Sequence, residues 1–109
     1  MTQNCSVLDQ LYSVIQSRKG DNPETSYTAG LLSQGMPKIA QKVGEEAVEV
    51  ITAALVENEN KVIKESADLL YHLLVLWAQK GVTPENVWNE IRRREGTSGV
   101  LEKTSRQKD

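Results

Sequence analysis

The chain has 109 residues, 39% of them hydrophobic and 26% charged, with a net charge of −2. That is one domain's worth of sequence, long enough for a modest core, and a near-balanced charge excludes a general electrostatic pull toward nucleic acid or anionic membrane. A single cysteine, Cys5, excludes an internal disulfide and a cysteine-based zinc site. The N-terminus MTQNCSVLDQ lacks a basic region followed by an apolar one, and no run of about 18 apolar residues occurs. The expectation is a cytoplasmic, single-domain protein spanning 1–109.

In chain order, Ser6 to Lys19 reads as a first helix, with Ser6 as N-cap, Asp9 at N3, and Val7, Leu8, Leu11, Val14 and Ile15 at helical spacing. Gly20 ends it, and Asp21 to Tyr27, containing Pro23, reads as a loop. A short helix from Thr28 to Ser33 is followed by Gly35. The next helix opens at Met36 and Pro37, the proline suiting a first turn, and runs to about Val56. Its apolar stripe, Ile39, Ala40, Val43, Ala47, Val48, Val50, Ile51 and Ala54, is expected to face a core.

Glu57 to Asn60 forms a polar break before a helix from about Lys61 to Lys80, apolar nearly all round and therefore expected to be buried. Gly81 caps it. Thr83 then N-caps a last helix over Glu85 to Arg94, with Pro84 at N1 and Asn86 at N3. Residues 96–109 read as a polar tail. Alternating strand patterns and hairpin turns are absent, so the expected fold is all-α, an antiparallel bundle of four to five helices.

Glu45, Glu46 and Glu49 share an arc of about 100° on the third helix. Like charges at these spacings repel, so a cation should compensate them. The following helix carries a second acidic pair, Glu65 and Asp68, at about the same distance from the polar break as Glu46 and Glu49. In an antiparallel hairpin the two pairs face one another. Convergent carboxylates without a cation are costly, and an all-oxygen set suits a hard ion, Mg²⁺ or Mn²⁺. The competing reading pairs these acids with Lys38, Lys42, Lys61 or Lys64 as structural ion pairs, Lys42 and Lys61 standing four residues before Glu46 and Glu65. Spacing alone leaves both open. A di-iron site wants two Glu-x-x-His motifs, and the chain has one histidine. Taken alone, His72 on a buried helix is more often a hydrogen-bonded core residue than a catalyst. Tyr71 and the two tryptophans read as core or interface. Arg92, Arg93 and Arg94 with Lys80 read as a solvated face, with a phosphate contact across a subunit boundary as the alternative role for the arginines.

GEEAVEV (Gly44 to Val50) followed by ESADLLYHLLVL (Glu65 to Leu76) resembles the EExxE and ExxD signature of the all-α nucleotide pyrophosphohydrolases of MazG-like fold. More narrowly, SYTAGLL (Ser26 to Leu32), PKIAQKVGEEAVEV (Pro37 to Val50), ADLLYHLLVL (Ala67 to Leu76) and GTSGVLEKTSR (Gly96 to Arg106) are similar to the phosphoribosyl-ATP pyrophosphatases of histidine biosynthesis. EExxE alone is a weak signal; four ordered blocks are a strong one. The resemblance implies hydrolysis of phosphoribosyl-ATP to phosphoribosyl-AMP and pyrophosphate with Mg²⁺, Mn²⁺ being an alternative ion. It implies Glu46, Glu49, Glu65 and Asp68 as metal ligands, and Glu45 as a further ligand or the residue that orients the attacking water. It makes Lys38 and Lys42 candidate phosphate contacts and Ser26, Tyr27 and Thr28 candidate loop donors. Gly30 stands where the family often has a basic residue, which puts a phosphate contact there in doubt. The resemblance also implies a homodimer whose sites use both chains, with phosphoribosyl-AMP cyclohydrolase as the expected next enzyme. The alternatives are a relative cleaving ordinary or damaged nucleoside triphosphates, and a non-catalytic helical dimerisation module.

Overall fold

A computed structural model of the chain describes residues 6–95 and Lys103. Five helices follow one another: α1 (Ser6–Ser17), α2 (Tyr27–Gln34), α3 (Met36–Val56), α4 (Glu59–Lys80) and α5 (Pro84–Arg94). No strand occurs among the described residues. The 96–109 tail, apart from Lys103, lies outside them; α1 begins at Ser6 itself, so Ser6 is a helical residue rather than the expected N-cap, and the position before it lies outside the described residues.

The long antiparallel hairpin of α3 and α4 is the frame. Its two helices are joined by only Glu57 and Asn58, so the polar break is two residues shorter than expected. The reason is local: Asn58, not a residue nearer Lys61, is the N-cap, its side-chain oxygen accepting from the Lys61 N–H at 3.0 Å. At the far end Gly81 adopts the left-handed conformation (φ 83°, ψ 22°), and the Val82 N–H closes the helix on the Trp77 carbonyl at 2.9 Å.

Helix α1 packs on α4, α2 on both α3 and α4, and α5 on α1. α1 ends at Ser17, two residues before the expected Lys19, because Arg18 and Lys19 donate to carbonyls only three residues back (3.1 and 3.2 Å) and tighten the last turn. Tyr12 fastens α1 to the end of α4 by donating its hydroxyl proton to the Val82 carbonyl at 2.7 Å. The expected loop over Asp21 to Tyr27 is one residue shorter. Ser26 is the N-cap of α2, its Oγ accepting from Ala29 N–H at 3.1 Å, so Tyr27 and Thr28 belong to the first helical turn. Gly35, with φ 91° and ψ 171°, turns the chain between α2 and α3 in a region open only to glycine. Thr83 and Asn86 form the expected reciprocal capping box of α5 (3.2 and 2.9 Å).

The core gathers Tyr12 and Ile15 of α1, Leu31 and Leu32 of α2, Ile39 of α3, and Leu74, Val75 and Ala78 of α4. Ile15, Ile39, Leu74 and Val75 are essentially sealed, each worth about 1.5–3 kcal/mol of burial. The expectation of a buried α3 stripe is corrected. Of α3 only Ile39 and Ala53 are buried, whereas Val48, Ile51, Leu55 and Val56 stand exposed, Leu55 to 77% and Val56 to 76%. Nor is α4 buried all round, since Ile63 and Leu70 are exposed as well. The small α1, α2 and α5 cover only one end of a hairpin more than 20 residues to each arm, leaving its other apolar surface without a covering layer.

Candidate metal centre

The α3/α4 hairpin brings its two acidic segments together. Glu46 and Glu49 of α3 and Glu65 of α4 each present a carboxylate oxygen, and these three atoms lie within 4.8 Å of one another. The juxtaposition follows from the short connection: Glu49 and Glu65 stand nearly equidistant from the Glu57–Asn58 turn and meet across the interface. Glu46 is half-buried and Glu49 exposed, but Glu65 is only 9% exposed.

Lysines compensate the cluster in part. Lys61 stands 3.7 Å from Glu65 Oε1, and Lys42 lies 3.5 Å from Glu45 and 4.0 Å from Glu46. The structural ion pairs read from spacing are therefore present, alongside the convergence rather than in place of it. Glu49 has no ion pair among the described residues, and Glu65 Oε2 is fully enclosed with no hydrogen-bond donor. A buried carboxylate oxygen without a donor costs free energy that a hydrogen bond ordinarily offsets. The Glu49 carboxyl beside it, able to share a proton with it, is the main cause that raises the pKa of Glu65, followed by burial and the Glu49 charge, against a lowering by Lys61. These are the properties of a place suited to a hard cation: three oxygen donors, an excess of negative charge, and one orphaned buried oxygen.

The other candidates are distributed around this centre. Asp68, one turn after Glu65, is exposed and outside the group of three, although its charge also raises the Glu65 pKa. Repulsion from the neighbouring carboxylates favours that solvent-facing position. Glu45 is engaged along its own helix, accepting from Gln41 Nε2 at 2.8 Å and pairing with Lys42, and these partners hold its pKa below the usual value. Lys38 is exposed one turn before Lys42, and its charge also acts on Glu45. The pKa of Lys42 is raised, first by the nearby Tyr27 phenol and then, against a lowering by burial, by Glu45 and Glu46.

Ser26, Tyr27 and Thr28 stand at the N-terminus of α2 rather than in a loop, and each hydroxyl has a partner there. The Ser26 hydroxyl oxygen caps α2, the Thr28 hydroxyl is hydrogen-bonded to the Tyr71 hydroxyl, and the Tyr27 hydroxyl lies 3.2 Å from His72 Nε2. His72 is buried, with Nδ1 2.8 Å from the Asp68 carbonyl. Arg92 donates to Asn89 at 2.6 Å, and Arg93 and Arg94 engage Glu90, whose pKa their side chains hold down at about 2. The arginines thus sit on α5, which packs on α1 and, through Trp88, against Trp77 of α4.

Three residues with no expected role in the site border this centre. Val48, Thr52 and Glu57 join Glu49, Lys61 and Glu65 in lining a groove of about 360 Å³. Thr52 stands one turn after Glu49, so helical spacing carried a signal for it. Nothing in the spacing marks Glu57, which comes into the groove through the tightness of the turn.

Comparison with known proteins shows the family. The family described as phosphoribosyl-ATP pyrophosphohydrolase matches residues 8–95, a span containing both acidic segments and all of α2, α3, α4 and α5. The chain belongs to that family. It is 58% identical over 108 residues to the phosphoribosyl-ATP pyrophosphatase of Paramagnetospirillum magneticum, covering 99% of each chain. It is 55% identical to the protein of that name from Azospirillum brasilense, over 94% of this chain and 93% of the relative. A third such relative, from Trichlorobacter lovleyi, is 52% identical over 97% of this chain and 98% of its own. No helix among the described residues is long and apolar enough to cross a membrane.

Proposed function

We propose that this chain hydrolyses phosphoribosyl-ATP to phosphoribosyl-AMP and pyrophosphate, with Mg²⁺ as the cofactor and Mn²⁺ as a competent substitute. The family membership supports the substrate. The convergence of Glu46, Glu49 and Glu65, with the enclosed, unpartnered Oε2 of Glu65, is the observation that carries the chemistry. These three carboxylates would hold the cation, with Asp68, one turn after Glu65, as a further ligand. When bound, the cation supplies charge neutralisation along the phosphate chain and acidification of water.

The chain's own groups do the rest. Glu45, at the rim beside Lys42, orients the attacking water and accepts its proton. Water oxygen forms the new bond to phosphorus, the anhydride bond breaks, and pyrophosphate leaves with the bonding electron pair. The ammonium groups of Lys38 and Lys42 meet phosphate oxygens, where a cation pairs with charge that is concentrated in the transition state. Arg92 and Arg93 would contact a phosphate across the boundary with a second copy of the chain.

A homodimer suits the exposed apolar face of the hairpin, formed by Val48, Ile51, Leu55, Val56, Ile63 and Leu70, which water otherwise solvates. The enzyme works in the cytoplasm within histidine biosynthesis, and phosphoribosyl-AMP cyclohydrolase consumes its product. Purified protein incubated with phosphoribosyl-ATP and Mg²⁺ should release pyrophosphate and phosphoribosyl-AMP in equal amounts. Release of orthophosphate instead, or turnover of ordinary nucleoside triphosphates in preference, would favour the broader nucleotide-hydrolase reading.

A further inference from the structure

The hydroxyl of Tyr27 meets the buried His72, and the hydrogen bonds around the imidazole fix the direction of its proton. His72 Nδ1 lies 2.8 Å from the backbone carbonyl of Asp68. A carbonyl oxygen only accepts, so Nδ1 carries the ring proton. In the neutral imidazole Nε2 then holds a lone pair and can only accept. The Tyr27 hydroxyl, 3.2 Å from Nε2, must donate to it. The ring of Tyr27 is held in place by stacking on Tyr71 (6.2 Å, 28°) and by an edge contact with His72 (6.1 Å, 84°), while Tyr71 is tied to Thr28. Even so, Tyr27 remains 59% exposed. With its proton committed inward, the phenol oxygen of this largely exposed residue has only acceptor capacity left.

We propose that Tyr27 is a specificity-determining residue that accepts a hydrogen bond from a hydroxyl or amine of the substrate's nucleoside portion, and that His72 is the positioning residue enforcing this polarity. Ionised phosphate oxygens are acceptors and have nothing to offer a second acceptor, so the arrangement turns Tyr27 away from the phosphate-donor role suggested by its place in the SYTAGLL segment. The bond from Tyr27 to His72, which in turn donates to the backbone carbonyl of Asp68, places this acceptor beside the turn of α4 that carries Asp68. The choice of a nucleoside partner rests on the nucleotide-hydrolase reading; the direction of the proton does not.

The two parts are tested separately. The chain contains one histidine, so a ¹⁵N spectrum of the imidazole at about pH 8 reports His72 alone. Nδ1 is expected to be protonated and Nε2 to be an unprotonated acceptor whose resonance moves when Tyr27→Phe removes the donor. A ring protonated on Nε2, or an Nε2 signal indifferent to Tyr27→Phe, overturns the proposal. In steady-state kinetics Tyr27→Phe should raise KM for phosphoribosyl-ATP by roughly 2- to 12-fold, the worth of one net hydrogen bond, with kcat nearly unchanged. An unchanged KM, or a fall in kcat as large as the rise in KM, also overturns it. Wild-type protein that turns over no phosphoribosyl-ATP would defeat the functional reading, and the spectrum would still decide the proton's direction.

Discussion

Replacing Glu65 by Gln separates the acidic centre's electrostatic cost from its use. In the metal-free chain Glu65 is buried beside Glu49 with one oxygen lacking a donor, so folding favours its protonated form. A carboxyl whose pKa is raised on folding contributes stability that is fully present below its ordinary value of 4.5 and is lost as pH rises through the raised value. Metal-free wild type should therefore lose stability across that interval as pH increases. Glu65→Gln should remove that part of the slope and melt higher than wild type at pH 7. Magnesium reverses the order. A ligand at 100 times its Kd stabilises the native state by about 2.7 kcal/mol, which for a domain of this size is roughly 10–20 °C in Tm. Wild type should show that shift and Glu65→Gln less than a third of it. Differential scanning calorimetry with chelator and with saturating Mg²⁺ reads all four states. An equal Mg²⁺ shift in both proteins, or a metal-free variant that melts below wild type, would refute the reasoning.

Gly35→Ala should cost roughly 1–3 kcal/mol from backbone strain, because no other residue takes φ 91° with ψ 171° easily. A Cβ there meets only an ordinary contact with Pro37 at 3.9 Å, so urea unfolding with no change in midpoint would show that the turn relaxes without cost. Ile51→Glu, on the exposed apolar face, should convert a dimer to a monomer in sedimentation velocity while leaving the helical circular dichroism intact. A wild type that sediments as a monomer would remove the dimer from the account.

The helices were legible because their punctuation is local. Thr83, Pro84 and Asn86 announce α5 with no help from tertiary structure, and Gly35 and Gly81 mark boundaries through conformations that other residues avoid. The boundary errors came from capping choices: Ser26 and Asn58 cap α2 and α4 earlier than their neighbours suggested, which moved Tyr27 into a helix and shortened the hairpin turn. Burial was less legible. Periodicity showed that α3 has an apolar side but could not say that the short helices cover only one end of it, leaving Ile51 and Leu55 exposed. In the candidate site the approach of Glu46, Glu49 and Glu65 followed from spacing about a short turn. The side-chain positions of Asp68 and Glu45 did not, since they depend on competing lysines, on Gln41 and on repulsion within the cluster. The partners of Tyr27 and His72 were invisible because they join residues 45 apart in sequence.

The most direct test of the account is pyrophosphate release from phosphoribosyl-ATP, titrated with Mg²⁺ for wild type and for Glu49→Gln in parallel. Wild type should be silent with chelator and rise to saturation with Mg²⁺. Glu49→Gln, folded but lacking one of the three converging carboxylates, should lose at least about 100-fold in rate, the scale on which removal of a well-placed charged group acts in transition-state stabilisation. Full activity in Glu49→Gln, or release from wild type that ignores Mg²⁺, would contradict the claim that this acidic hairpin is where the chemistry occurs.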